Sequence, residues 1–297
     1  MIKSKITKLN YDNGFDKTGM ISKSLDLSGK FRKYAYNTAI LLYHEVTDFP
    51  ERAKNIRKIS PSDSLLVKRF EEQLALISKS PNAKVVTIDD ILREAPDNYK
   101  KIVFTFDDGL IGNYLFAFNI LEKYGFKATF FITVNNISSI RYMSWEQLSV
   151  LHKNGHSIQS HTMTHPMLGE CEEEKIVYEL ESSKKTIEDN IGAPVKYLSL
   201  PFGSSNRSVI RIAKRTGYEA IFTSSYSVRN LNNELCQFGR IHIKDTYPLK
   251  TFVRLLDPNP SQFLLTRTKE AFKRLAKKII GLDNYRKLYR FIYRIEL

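Results

Sequence analysis

Short runs that are apolar on both faces, separated by helix-like segments, constrain this chain more than any other feature. Seven such runs read as strands: Thr38 to His44, Lys101 to Asp107, Ala128 to Val134, His156 to His161, Val195 to Leu200, Tyr218 to Ser224 and Cys236 to Ile243. A strand with one wet face alternates apolar and polar residues. The central runs do not alternate, so both of their faces must be covered. Between them, Ser64 to Lys79 places Leu65, Leu66, Phe70, Leu74 and Ile77 on one helical face. Asn113 to Tyr124 repeats that pattern and stops at Gly125, and Ser144 is placed to cap a helix that closes on Gly155. Glu170 to Asn190 and Ser208 to Thr216 complete the set. Alternating strands and helices imply a parallel sheet with crossover helices. The expected class is α/β: a distorted (β/α) barrel of about seven parallel strands with N- and C-terminal extensions. Its parts would be an extension at 1–33, a catalytic barrel at 34–258 and a basic amphipathic segment at 259–297.

In such barrels the chemistry gathers at the C-terminal ends of the strands. Four runs end there in residues suited to metal binding or proton transfer. One runs into Asp107, Asp108 and Gly109, another into His161 and, four residues on, His165. The first runs into His44 and Glu45, and the last contains His242. His161 and His165, at i and i+4, would share a face if the segment were a helical turn, and so could grip one ion. Zinc accepts imidazole and carboxylate together, and a catalytic zinc site uses three protein ligands plus water. Two histidines and one aspartate meet that count. In the Asp107–Asp108 pair, one carboxylate could bind the metal while the other accepts a proton from the bound water. The residues alone do not say which does which.

FTFDDG (Phe104 to Gly109), followed by HTMTH (His161 to His165), resembles the polysaccharide deacetylase family, the group with a nodulation-type chitooligosaccharide deacetylase domain. The likeness extends through KYGFKATFFI (Lys123 to Ile132) and MSWEQL (Met143 to Leu148), and spans roughly Tyr34 to Tyr247. It implies a distorted (β/α) barrel that hydrolyses N-acetyl or O-acetyl groups on sugars. By motif match, Asp107 would be the general base, and Asp108, His161 and His165 would ligate one divalent metal, zinc, with nickel or cobalt as substitutes. The family's third motif carries an Arg that orients the base. Here the segment is SLPFG, and Ser199 stands in that place, followed by Pro201, Phe202 and Gly203 as substrate-binding residues. The backbone N–H of Phe202 would face the developing oxyanion. A fourth, Asp/Trp motif is not recognisable, and the single tryptophan, Trp145, reads as a packing residue. The poly-N-acetylglucosamine deacetylase subgroup is similar in lacking that Arg and in having an early Tyr-His element, here LLYHEV (Leu41 to Val46). That likeness implies His44 as general acid. The more usual late Leu-x-His element corresponds to GRIHIKD, which offers His242 with Arg240 where the Leu would be.

Composition narrows the partners. Lys and Arg number 46 against 32 acidic residues, a formal charge of +14, which favours anionic surfaces. No zinc-finger spacing, RNA-binding aromatic signature or phosphate loop accompanies it, so nucleic acid is not expected. Residues 261–297 carry ten Lys or Arg against three acidic residues, with Phe272, Leu275, Ile279 and Leu282 on one helical face. This suits an anionic membrane surface; the alternative is a helix pair packed on the barrel. Cys171 and Cys236 have no framework spacing, and no disulfide-linked partner is expected. The N-terminus lacks the apolar stretch of a signal peptide, and no run is long enough to span a bilayer. The expected location is cytoplasmic, with the inner membrane face as an alternative site. Three activities compete with N-deacetylation of a glycan: non-catalytic glycan binding with retained metal, O-acetyl ester hydrolysis, and deacetylation of a lipid-linked glycan.

Overall fold

The computed structural model describes residues 38–48, 64–93, 98–224, 228–231 and 235–256. The expected extensions at 1–33 and 259–297 lie outside them. Along the chain run β1 (Thr38–Tyr43), β2 (Glu45–Thr47), β3 (Ser64–Leu66), α1 (Val67–Ser78), β4 (Ala83–Val85), α2 (Ile88–Arg93) and β5 (Lys100–Phe106). A π-helical turn (Asn113–Ala117) then leads into α3 (Phe118–Lys123), followed by β6 (Ala128–Ile132), α4 (Trp145–Lys153), β7 (Ser157–Ser160), α5 (Glu173–Ile191) and β8 (Tyr197–Ser199). Last come α6 (Arg207–Arg215), β9 (Ala220–Thr223), β10 (Val228–Leu231), β11 (Leu235–Gly239), β12 (Ile241–His242) and α7 (Leu249–Leu256).

The sheet closes on itself through one run of chain. Strands β1, β5, β6, β7, β8 and β9 pair in that order, all parallel. β11 pairs with β9, and β12, one residue further on, pairs with β1 through Leu41↔Ile241 and Leu42↔His242. Counting β11 and β12 as the single run they are, the ring has seven parallel strands, as expected. The distortion is local: β7 meets β8 through one residue pair, Ser160↔Leu198, and Arg240 interrupts the closing strand. β10 pairs antiparallel with β11, and β4 pairs with the start of β5.

Parity along the strands separates two apolar layers. Ile40, Val103, Phe131, Tyr197, Ala220, Phe222 and Phe238 form one buried cluster, joined by Val86, Ile88 and Ile91 from the segment running into α2. These fill the barrel interior and close its N-terminal mouth. The intervening residues, such as Leu41, Phe104, Phe106, Phe130 and Ile158, pack outward against Phe70, Leu74, Leu121, Leu148, Ile176 and Leu180 of the helices. Both faces are therefore covered, which is why the runs show no alternation. Each buried Phe or Leu contributes about 1.5–3 kcal/mol. Trp145 packs partly buried against the outer layer, and Ser144 forms a capping box with Gln147 at the start of α4.

Two expectations need correction. Ser64 to Leu66 is a strand paired with β2 rather than the first turn of α1. Its apolar residues satisfy helical spacing, but its backbone bonds to Glu45–Thr47 instead. The Asn113 to Tyr124 helix begins as a π-helical turn. Several short elements, β2, β4, α2, β10 and α7, were not anticipated. Among the described residues, no helix is long and apolar enough to cross a membrane.

Candidate functional site

The inward parity that buries Ile40, Val103, Tyr197 and Phe238 continues toward the C-terminal ends of the strands. There it delivers polar residues: Asp107 after β5, His161 after β7, Ser199 in β8, Arg240 and His242 in the closing run, and His44 after β1. The interior is thus apolar below and polar above.

Asp107 stays in register, its N–H donating to the Tyr43 carbonyl at 3.0 Å. The chain then turns through two left-handed residues, Asp108 (φ 73°) and Gly109 (φ 80°). Gly109 is required twice over: a Cβ there would be strained and would lie 3.2 Å from the Ile132 Cδ1 atom. The turn sends the adjacent carboxylates to different partners. Asp107 is gripped by Arg240, whose Nη1 donates to Oδ1 at 2.7 Å and Nη2 to Oδ2 at 2.6 Å. Ser199 Oγ adds a donor to Oδ2 at 3.0 Å, and Arg240 also donates to Ser199 Oγ at 2.8 Å and to Thr105 Oγ1 at 3.2 Å. Both members of the pair are buried. Burial alone would raise the Asp107 carboxyl. The Arg240 charge and its hydrogen bonds, with His161, outweigh that and hold it well below the usual carboxylate range.

Asp108 faces the histidines. Its Oδ1 lies 3.4 Å from Nε2 of both His161 and His165, and the two Nε2 atoms are 3.2 Å apart. The three potential ligand atoms form a nearly equilateral triangle. A tetrahedral ion with bonds of about 2.0–2.1 Å has ligand–ligand edges of about 3.3–3.4 Å, so the triangle matches one face of a zinc-like site and leaves the fourth vertex open. The donor set fits as well. His161 Nδ1 lies 2.9 Å from the Ser199 carbonyl oxygen, which can only accept. Nδ1 therefore carries a proton, which leaves Nε2 as the nitrogen that would offer its lone pair to an ion. Burial pushes His165 down to about 4, which favours the neutral imidazole that a metal would need.

The helical turn expected for this segment is not present. His161 to His165 form a loop with Thr162 (φ 69°) and His165 (φ 62°) both left-handed. The rings still converge, at centroids 4.8 Å apart, because the loop folds back rather than because i and i+4 share a helical face.

His44 and His242 come together, with ring centroids 4.9 Å apart and tilted by 57°. His44 contributes to the electrostatic field at Asp107, Asp108 and His165. The corner that carries it is clamped by Asn113, the first residue of the π-helical turn. Asn113 Nδ2 donates to the His44 carbonyl at 2.8 Å, and Val46 N–H donates to Asn113 Oδ1 at 3.2 Å. Pro201, Phe202 and Gly203 form a 3-10 turn at the end of β8. Pro201 is buried, and the exposed Phe202 ring stands edge-on to His165 with centroids 4.9 Å apart. Gly203 (φ 63°) sits where a Cβ would come within 2.9 Å of Ser224 Oγ.

Arg240 is the residue that motif reasoning missed. In the motif it is only the residue standing where a Leu is expected. Parity carried the signal: Phe238, Arg240 and His242 share the inward face of one strand, so a guanidinium had to enter the barrel.

Residues 94–221 match the polysaccharide deacetylase family. A peptidoglycan-N-acetylglucosamine deacetylase of Bacillus cereus is 32% identical over 132 residues, 44% of this chain and 60% of that protein. A poly-beta-1,6-N-acetyl-D-glucosamine N-deacetylase of Staphylococcus aureus is 26% identical over 252 residues, covering 76% of this chain and 85% of that one. The chain spans about half, 52%, of the length of a Bacillus subtilis relative. In fold, it is similar to the Streptococcus pyogenes deacetylase PplD in complex with acetate (TM-score 0.65, 23% identity, 74% of this chain and 98% of that one). It is also similar in fold to IcaB from Ammonifex degensii (TM-score 0.61, 18% identity, 75% of this chain and 97% of that one).

Proposed function

We propose that this chain, whose residues 94–221 match the polysaccharide deacetylase family, is a metal-dependent hydrolase that removes N-acetyl groups from an N-acetylated sugar or polysaccharide. The observation that carries this reading is the division of labour within the Asp pair. Asp108 completes a three-ligand triangle with His161 and His165, while Asp107, beside it, is locked by Arg240. A divalent ion held by that triangle, zinc with nickel or cobalt as substitutes, would polarise the acetyl carbonyl and lower the pKa of a water at the open position.

Asp107 accepts the proton of the attacking water. Its pair with Arg240 keeps it ionised through the neutral range and fixes its direction, at a cost in basicity. The acidity of the water must therefore supply the missing driving force. The N–H of Phe202, on the turn beside His165, would donate to the developing oxyanion. His44 donates a proton to the departing amine, with His242 packed beside it as the other candidate acid. The intact Arg240–Asp107 pair supports a working base over a relative that only binds glycans. The name of the S. aureus relative supports a poly-N-acetylglucosamine substrate. An O-acetyl ester would meet the same carbonyl chemistry without needing a strong acid for the leaving group.

Acetate release from a panel of N-acetylated glycans and lipid-linked sugars, run with chelator and with Asp107→Asn, tests the proposal. Release that stops in chelator, returns with zinc and is absent in Asp107→Asn is the expected result. Near-wild-type turnover by Asp107→Asn would overturn the mechanism.

A further inference from the structure

The loop that carries His161 and His165 holds an unfavourable conformation. Neither Thr162 nor His165 is a glycine, yet both are left-handed. A β-branched residue in that region is strained and persists only where its surroundings impose it. Part of the restraint is local. Thr162 N–H donates to Ser160 Oγ at 3.2 Å, and His165 N–H donates to Thr162 Oγ1 at 3.0 Å. On one side the loop's carbonyls are held: Val134 N–H donates to the Thr162 carbonyl at 3.2 Å, and Asn135 N–H to that of Met163 at 3.0 Å.

The other side is held by one side chain. Glu179, on α5, is completely buried. Its Oε2 accepts the consecutive N–H groups of Met163 and Thr164, each at 2.8 Å, and its Oε1 accepts the Thr164 hydroxyl. Lys175, one turn earlier on α5, supplies the counter-charge at 2.8 Å. Consecutive N–H groups that converge on one anion make a backbone nest, a form adopted by chains containing left-handed residues. On the loop, the carboxylate bonds Met163 and Thr164, which lie between the two histidines.

We propose that Glu179 is a positioning residue for the metal centre: it anchors the Met163–Thr164 backbone from α5 and thereby sets the separation of the His161 and His165 nitrogens. This rests on the reading of Asp108, His161 and His165 as metal ligands. Outer partners of metal ligands are worth roughly 10–100-fold in metal affinity, and here the partner acts on the backbone that joins two ligands. Without it the nest has no anion, the left-handed pair loses half its restraint, and the triangle opens.

Glu188 provides the internal control. It lies on the same helix, pairs with Lys184 at 2.8 Å and accepts the Val195 N–H at 2.9 Å, but serves a loop that carries no ligand. The experiment uses the full chain, stripped of metal and titrated with zinc against a competing chelator. Cobalt absorption reports coordination geometry, and thermal unfolding of the metal-free protein reports stability. Glu179→Ala should weaken zinc binding by roughly 10-fold or more and alter the cobalt bands, and Glu179→Gln, with one acceptor oxygen instead of two, should do so to a lesser degree. Glu188→Ala should lower the unfolding temperature and leave both metal readouts at wild-type values. Wild-type affinity and cobalt bands in folded Glu179→Ala would overturn the proposal. If that variant does not fold, the same result in Glu179→Gln would overturn it, as would an equal affinity loss in Glu188→Ala. If the wild-type chain binds no metal, the reading beneath the proposal fails instead, and the two failures are told apart by that first titration.

Discussion

Strand β7 has a buried histidine at each end, and the two are wired in opposite senses. His156, just before the strand, accepts the Ala128 N–H at Nδ1 at 3.2 Å and meets Glu122 through Nε2 at 3.0 Å. His161, just after it, donates from Nδ1 to a carbonyl and turns Nε2 toward Asp108 and His165. A backbone N–H fixes one tautomer and a backbone C=O fixes the other. The first ring packs between Phe118 and Phe130, while the second leaves Nε2 facing Asp108 and His165. Burial is nearly equal at both ends, so burial does not distinguish structural from functional histidine. The partner of the backbone-facing nitrogen does.

The sharpest way to break this contrast is to remove each ring in turn. His161→Ala should abolish stoichiometric zinc binding, measured on dialysed protein, and reduce acetate release to the assay background. His156→Leu should leave zinc stoichiometry and kcat unchanged. The next effect in size lies across the barrel from His161. Arg240→Met leaves Asp107 buried without its counter-ion, which should cost about 3–5 kcal/mol in urea unfolding and lower kcat by about 100-fold through a misplaced base. Zinc affinity should change far less than kcat, because Arg240 touches none of the three ligands. A smaller effect returns to His156. Its replacement by leucine strands the Ala128 N–H and should cost about 1–3 kcal/mol of stability. The smallest is a pH slope. Burial, and then Lys127, pushes His156 down to about 4, against partial support from Glu122. The unfolded chain then binds more protons than the folded one between about pH 4 and 6.5. Its contribution is therefore present above pH 6.5 and lost as the pH falls toward 4, at no more than about 1.4 kcal/mol per unit. Urea midpoints across that range should fall less steeply in His156→Gln than in the wild type.

The contrast also marks what could be read from residues alone. The seven-stranded barrel was legible because strands covered on both faces cannot hide their composition: Ile40 and Leu41 face opposite layers, and both are apolar. That Asp107, Asp108, His161 and His165 gather at one end of the barrel was legible, because strand ends and spacing mark them. The backbone that unites them was not. Left-handed Thr162 and His165 contradict local preference, and only the distant Glu179 and neighbouring backbone donors make them affordable. Arg240 is hidden differently, since the motif around it carries a Leu at its position and only strand parity points its side chain inward. Ser64 to Leu66 was lost to a helical pattern that its three residues happen to satisfy.

The closing run has a consequence in time. Asp107 and Arg240 are 133 residues apart, and the strand that bears Arg240 is also the one that joins β9 to β1. While the chain is being synthesised, all three candidate ligands emerge well before the guanidinium does. Until residues 235–242 follow, the sheet has two open edges and the carboxylate at its centre has no cation. The strand that turns an open sheet into a ring therefore also completes the environment of Asp107. Closure of the fold and arming of the site are one event.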